Sequence, residues 1–81
     1  MDKKEIYDKV VNICYDYEHE NAPVVINSIE DNLYSDLNLD SLAVVEIVML
    51  CEKEFKIYID DEEIVHMTTI NDLVNLISKK I

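Results

Sequence analysis

Glycine is absent from this 81-residue chain, tryptophan is absent as well, and proline occurs once, as Pro23. Without glycine no residue reaches positive φ free of a side-chain clash, so tight turns fall to asparagine, and Asn27, Asn32 and Asn38 are placed to make them. The same absence excludes a G-x-S-x-G nucleophile elbow, and the two histidines, His19 and His66, both lie in polar segments. Neither histidine has a companion at metal-ligand spacing. Positive charge is scarce: 7 basic against 18 acidic residues give a net charge of −11. Such a chain repels nucleic acid and anionic membrane surfaces and is steered towards electropositive patches on proteins. No apolar run approaches a membrane span, and Met1-Asp2-Lys3-Lys4-Glu5 is not followed by one, so the cytoplasm is the expected compartment, or an organelle where a leader has been removed. Cys14 and Cys51, the two cysteines, fall on core-facing sides of their helices and read as free buried thiols rather than a disulfide.

What is present is apolar content, 49% of residues, which is too much for a disordered acidic segment and predicts a packed fold. At this length the chain is expected to form a single domain over residues 1–81. Asp2 with Glu5 three residues on has the form of a capping box, and Ile6, Val10, Ile13, Cys14 and Tyr17 then recur at helical spacing, predicting a first helix that ends near Glu18. Glu18-His19-Glu20-Asn21-Ala22-Pro23 breaks the period. A long connection follows from Val24 to Leu39, with Val25, Ile26, Ile29, Leu33 and Leu37 as apolar anchors and a short turn at Ile29 to Leu33, and it is expected to lie across the helices as a lid. Beyond a second helix, Lys56-Ile57-Tyr58-Ile59 has no strand to pair with and reads as an extended connector. Asp60-Asp61 offers caps to a short helix over Glu62 to His66. Thr68 or Thr69 caps a last helix carrying Ile70, Leu73, Val74 and Ile77 at i, i+3, i+4, i+7, with Lys79-Lys80 at its negative end. The fold class is therefore all-α: three main helices, one short helix, and a long loop between the first two.

The second helix is the informative one. Asp40 and Ser41 both have short side chains able to cap a first turn, which starts the helix there and carries it to about Phe55. At about 100° per residue, Val44, Ile47, Val48, Cys51 and Phe55 share one side, and Leu42, Val45 and Met49 make a second stripe opposite. A small core takes one stripe. The other is covered by the Val24 to Leu39 loop or, as three spaced apolar residues flanked by Glu46 and Glu52 suggest, meets a partner with a basic docking patch.

Asp40-Ser41-Leu42 followed by this acidic, apolar helix resembles the attachment motif of the acyl carrier protein family. The order and spacing of Val45-Glu46-Ile47-Val48-Met49, Glu52-Lys53-Glu54-Phe55, Ile59, Asp61-Glu62-Glu63 and Thr68-Thr69 extend that resemblance over about the last two-thirds of the chain. It implies an acyl-carrier-like bundle with no catalytic residues of its own, in which Ser41, preceded by Asp40, carries a covalent 4′-phosphopantetheine arm transferred from coenzyme A by a phosphopantetheinyl transferase. The arm's thiol would hold acyl intermediates as thioesters for enzymes of fatty-acid or related biosynthesis, or aminoacyl or polyketide units. Leu42, Val45, Glu46, Met49 and Glu52 would form the docking surface, and the carrier would act as a monomer. Three departures stand out: Asn38 where a glycine is usual, Ala43 in place of a common acidic residue, and Asp60 in place of a proline.

A rival reading from a different class is a calcium-responsive interaction domain with no arm. Asp36-Leu37-Asn38-Leu39-Asp40 has the D-x-N-x-D opening of an EF-hand loop, but Ser41 stands where that loop needs glycine and Ile47 where it needs a bidentate glutamate, so no metal site is expected.

Overall fold

In a computed structural model, which describes residues 1–20 (the last three as backbone only) and 26–81, four helices follow one another: α1 (Lys3–Glu20), α2 (Ser41–Phe55), α3 (Asp61–Val65) and α4 (Ile70–Lys80). Among the described residues there is no strand, only an isolated antiparallel bridge between Asn32 and Thr69.

The first helix opens as its sequence predicts, with the Glu5 N–H donating to Asp2 Oδ1 at 2.9 Å. It runs two residues past Glu18, since Pro23 restricts only the residue before it and leaves this turn free to form. Ile6, Val10 and Cys14 are completely buried, while Ile13 and Tyr17 pack at the edge of the core. Opposite them lie Val44, Ile47, Val48, Cys51 and Phe55 of α2, the stripe expected to face inward, joined by Ala43. Ile70, Leu73, Val74 and Ile77 of α4 complete the centre, where α1 packs against both α2 and α4. Each fully buried branched aliphatic here contributes about 1.5–3 kcal/mol relative to exposure. Both cysteines are free and buried, and burial pushes the Cys14 thiol up to about 11 and the Cys51 thiol up to about 12, so neither is nucleophilic at neutral pH.

The long connection packs by its expected apolar anchors, and it leaves the outer stripe of α2 uncovered. Leu33, Leu37 and Leu39 enter the core, with Ile26 and Ile29 packed beside them. Its backbone is tied to the start of α4 by Leu33 N–H to the Thr68 carbonyl (2.8 Å), Ile70 N–H to that of Asp31 (3.1 Å) and Asn71 N–H to that of Ile29 (2.8 Å). The outer stripe of α2 stays open: Leu42 is 67% exposed and Met49 60%. The expected break around Pro23 and the anchor Val25 lie outside the described residues, as does the side chain of His19.

Of the three turn asparagines only Asn38 has positive φ, at 56°. Asn32 instead accepts the Tyr34 and Ser35 N–H groups on its side-chain oxygen (2.8 and 3.0 Å), and the Asn27 N–H donates to Asp31 Oδ2 (2.7 Å), local bonds that shape a turn without left-handed backbone. The second left-handed residue is Lys56, also at φ 56°, which ends α2 by letting the Ile57 N–H reach the Glu52 carbonyl at 3.1 Å. The short third helix starts one residue earlier than expected, because Asp60 takes the N-cap and exchanges a capping box with Glu63. Of the two candidate threonines Thr69 caps α4, in a box with Asp72.

Candidate attachment site and docking face

At the mouth of α2, capping falls to one residue of the expected pair. Asp40 is extended (φ −90°, ψ 176°) and its Oδ1 accepts the Ala43 N–H at 2.8 Å, while its carbonyl takes the Val44 N–H at 3.0 Å. Ser41 is then the first helical residue, and it is exposed. With the cap made by its neighbour, its hydroxyl is not committed to holding the helix start. The first two helical N–H groups, of Ser41 and Leu42, have no acceptor within the helix, so partial positive charge faces outward beside the hydroxyl. An anionic diester is tolerated there despite the acidic surroundings. The turn leading in depends on Asn38, whose left-handed backbone delivers Leu39 into the core and Asp40 to the cap.

The two acidic residues that flank the open stripe of α2 differ in their duties. Glu46 is exposed and its Oε1 accepts from the Tyr17 hydroxyl at 3.4 Å. Glu52 is half-buried and its Oε2 accepts the Ile59 N–H at 2.8 Å, fastening the 56–59 connector to α2. Leu42 and Met49 project into solvent, and Val45 between them is half-buried.

Grooves lined by described residues border this helix. One, of about 420 Å³, runs between α1 and α2 past Ile13, Asp16, Leu50, Lys53 and Glu54. Another, of about 300 Å³, lies at the mouth of α2, with Tyr17 and Asn38 on one side and Leu39, Asp40, Leu42, Ala43 and Glu46 around it. Sequence reasoning missed this second groove: Tyr17 fits the core periodicity of α1, and Ala43 carries no chemistry that marks it as a lining residue. The carboxylates of the calcium-like stretch serve the backbone instead. Asp36 Oδ2 accepts the Asn32 N–H at 2.7 Å and Asp40 makes the cap, and among the described residues no group of three or more potential ligands converges.

Residues 8–77 match the model of the phosphopantetheine attachment site family. Over 77 residues the chain is 44% identical to an acyl carrier protein of Picosynechococcus, covering 95% of this chain and 93% of that one. The chain belongs to the acyl carrier protein family. An acyl carrier protein of Petrotoga mobilis is 35% identical over the whole of this chain and 93% of its own. The crystal structure of a Thermotoga maritima acyl carrier protein superposes with a TM-score of 0.80 at 31% identity, covering 99% of this chain and 91% of the other, and is all-helical in the same way. The family's cofactor is 4′-phosphopantetheine, and its members are carriers that work with enzymes of acyl-chain biosynthesis. The mouth of α2 fits that group on its own terms, with an exposed hydroxyl, an adjacent helix N-terminus and a cap that does not use the hydroxyl.

Proposed function

We propose that Ser41 is the attachment point for the 4′-phosphopantetheine arm and that the chain, working as a single monomeric domain in the cytoplasm, carries acyl intermediates as thioesters on it. The observation that carries this reading is the division of labour at α2, where Asp40 makes the cap and leaves the Ser41 hydroxyl exposed on the first turn. The arm, when attached, supplies a thiol far more reactive than the two core cysteines, whose thiols burial holds protonated. The protein's own residues then have a non-catalytic task. Asp40 holds the helix start, the turn at Asn38 sets its direction, and the open stripe of Leu42, Val45 and Met49, with Glu46 beside it and half-buried Glu52 at its edge, presents an apolar strip in a negative field to enzymes with basic docking patches. A phosphopantetheinyl transferase is the first such enzyme, and those of fatty-acid or related acyl-chain synthesis are the others.

Incubation with coenzyme A and a broad-specificity phosphopantetheinyl transferase, followed by intact mass measurement, tests the assignment. The expected result is a gain of one arm that vanishes in Ser41→Ala, with the variant folded like the parent because it keeps its cap. Absence of a gain, or a gain that survives Ser41→Ala, overturns it.

A further inference from the structure

Lys9 Nζ meets Glu54 Oε2 at 3.3 Å and, about two turns further along α1, the Tyr17 hydroxyl meets Glu46 Oε1 at 3.4 Å. The two helices therefore run antiparallel in a fixed register, and Ile13 and Leu50, which line one groove, fall midway on both. In that register Cys14 comes level with Met49, and Cys51 lies two residues beyond, about 3 Å of helix rise. Both cysteines are 0% exposed, both belong to the core that α1 and α2 share, and the chain has no others. The Cys14 thiol lies near enough that its ionised form adds to burial in raising the Cys51 thiol to about 12. Helix axes about 8–10 Å apart, with Cα atoms about 2.3 Å off each axis, bring facing positions within the roughly 4.4–6.8 Å that a disulfide spans. The attachment site uses neither thiol.

We propose that Cys14 and Cys51 form a latent redox lock, joined by a low-molecular-weight disulfide into a bond that pins α1 to α2 and returned by small thiols to the free pair of the resting fold. The proposal goes beyond the carrier reading and does not depend on Ser41. In the closed fold neither thiol reacts, because no oxidant reaches a buried sulfur and burial keeps both protonated. Opening of the seam between α1 and α2 exposes them. One cysteine, deprotonated, then attacks a sulfur of the small disulfide, forming a mixed disulfide and releasing one small thiol. The other cysteine, deprotonated in turn, attacks the protein sulfur of that mixed disulfide and expels the second small thiol. Two protein thiols thus give up two hydrogens, and the small disulfide takes them and leaves as two thiols. The bulky mixed disulfide has no room in a packed core, whereas the internal bond fills the space of the two thiols, so reclosure favours the internal bond. Opening is the gate, and chains that open most often are captured first.

The full chain bearing Ser41→Ala, which leaves the two cysteines as the thiols to be followed whether or not the carrier reading holds, is reduced and then incubated with glutathione disulfide, in buffer and in urea near its unfolding midpoint. Intact mass is expected to show a monomer lighter by two hydrogens, formed roughly ten-fold faster near the midpoint than in buffer, and dithiothreitol is expected to reverse it. After removal of urea the oxidised chain is expected to recover the circular dichroism of the reduced one and to melt roughly 10 °C or more higher, the scale of a bond that closes a long loop without strain. Cys51→Ala is expected to stop at the mixed disulfide with no gain in Tm, and Cys51→Val, which fills the site, serves the same purpose if the alanine variant loses helix. An internal bond that leaves Tm unchanged or lowers it shows that the native fold holds the sulfurs apart and overturns the proposal. So do a parent chain that stops at mixed disulfides, one that pairs with a second copy, and one that stays unreacted near the midpoint.

Discussion

Lys56 is where the missing glycine is felt most. It sits at φ 56° and ψ 49° at the end of α2, a conformation in which the side chain of an ordinary L-residue crowds the following carbonyl at a cost of about 1–2 kcal/mol. Asn38, at the same φ, has a short polar side chain that tolerates this region better. Glycine at position 56 removes the clash but adds disorder to the unfolded chain worth about 0.5–1 kcal/mol, so Lys56→Gly is expected to stabilise by roughly 0.5–1 kcal/mol net. On a domain of this size that is a rise of about 2–8 °C in Tm. Asn38→Gly is expected to gain less. Thermal melts of the two variants beside the parent decide it, and a Lys56→Gly protein that melts lower would mean that the exposed lysine contributes something besides backbone shape.

Among the elements, α3 and α4 owe their ends to carboxylates whose ionised forms the fold favours. The Thr68 and Thr69 N–H groups and hydroxyls hold the Asp72 carboxyl below its ordinary value of 3.8, and the Lys80 ammonium, with the Asp60 N–H, holds Glu63 below 4.5. A carboxyl with a lowered folded value contributes stability that is fully present above its unfolded value and is lost as the pH falls through the folded one. The urea midpoint is therefore expected to hold steady down to about pH 5 and to decline on further acidification. Asp72→Asn lowers the neutral plateau and flattens the acid limb, since an amide oxygen can stand in for Oδ2, which takes the bonds from Thr68 and Thr69, but brings no charge to strengthen them and has no proton to gain. An unchanged acid limb in that variant would remove Asp72 from the account. These caps were legible beforehand because Asp60 and Thr69 are chemically marked as helix starts, and the buried faces of α2 and α4 were legible because the 3.6-residue period is a property of the chain itself. The course of the 26–39 connection was not, because its partners at Thr68 to Asn71 lie more than thirty residues away and bond through backbone groups that every residue shares. The split of duties between Asp40 and Ser41 was equally invisible: either side chain can cap, and only the position of the first helical residue decides which one does.

The whole molecule carries −11 within extents of 29 × 25 × 22 Å, so at about 0.1 M salt, where the Debye length is about 10 Å, a basic enzyme approaching from one side feels the charges of that side and little of the far one. Net charge and local face then make different predictions, and two charge reversals separate them. Glu46→Lys and Glu30→Lys each shift the total by +2, to −9, but Glu46 lies beside the open stripe of α2 and Glu30 lies in the exposed turn that precedes the bridge to Thr69. If association with a phosphopantetheinyl transferase is steered by the field around α2, Glu46→Lys should weaken it about five-fold or more at low salt and flatten its decline with added salt, mostly by slowing the on-rate, while Glu30→Lys should shift both only slightly. Surface plasmon resonance at a series of ionic strengths measures each of these. Equal losses in the two variants would mean that bulk charge alone attracts the enzyme, and an unchanged Glu46→Lys curve would remove α2 from the recognition surface altogether, leaving the exposed apolar stripe without its negative rim as a reason to be there.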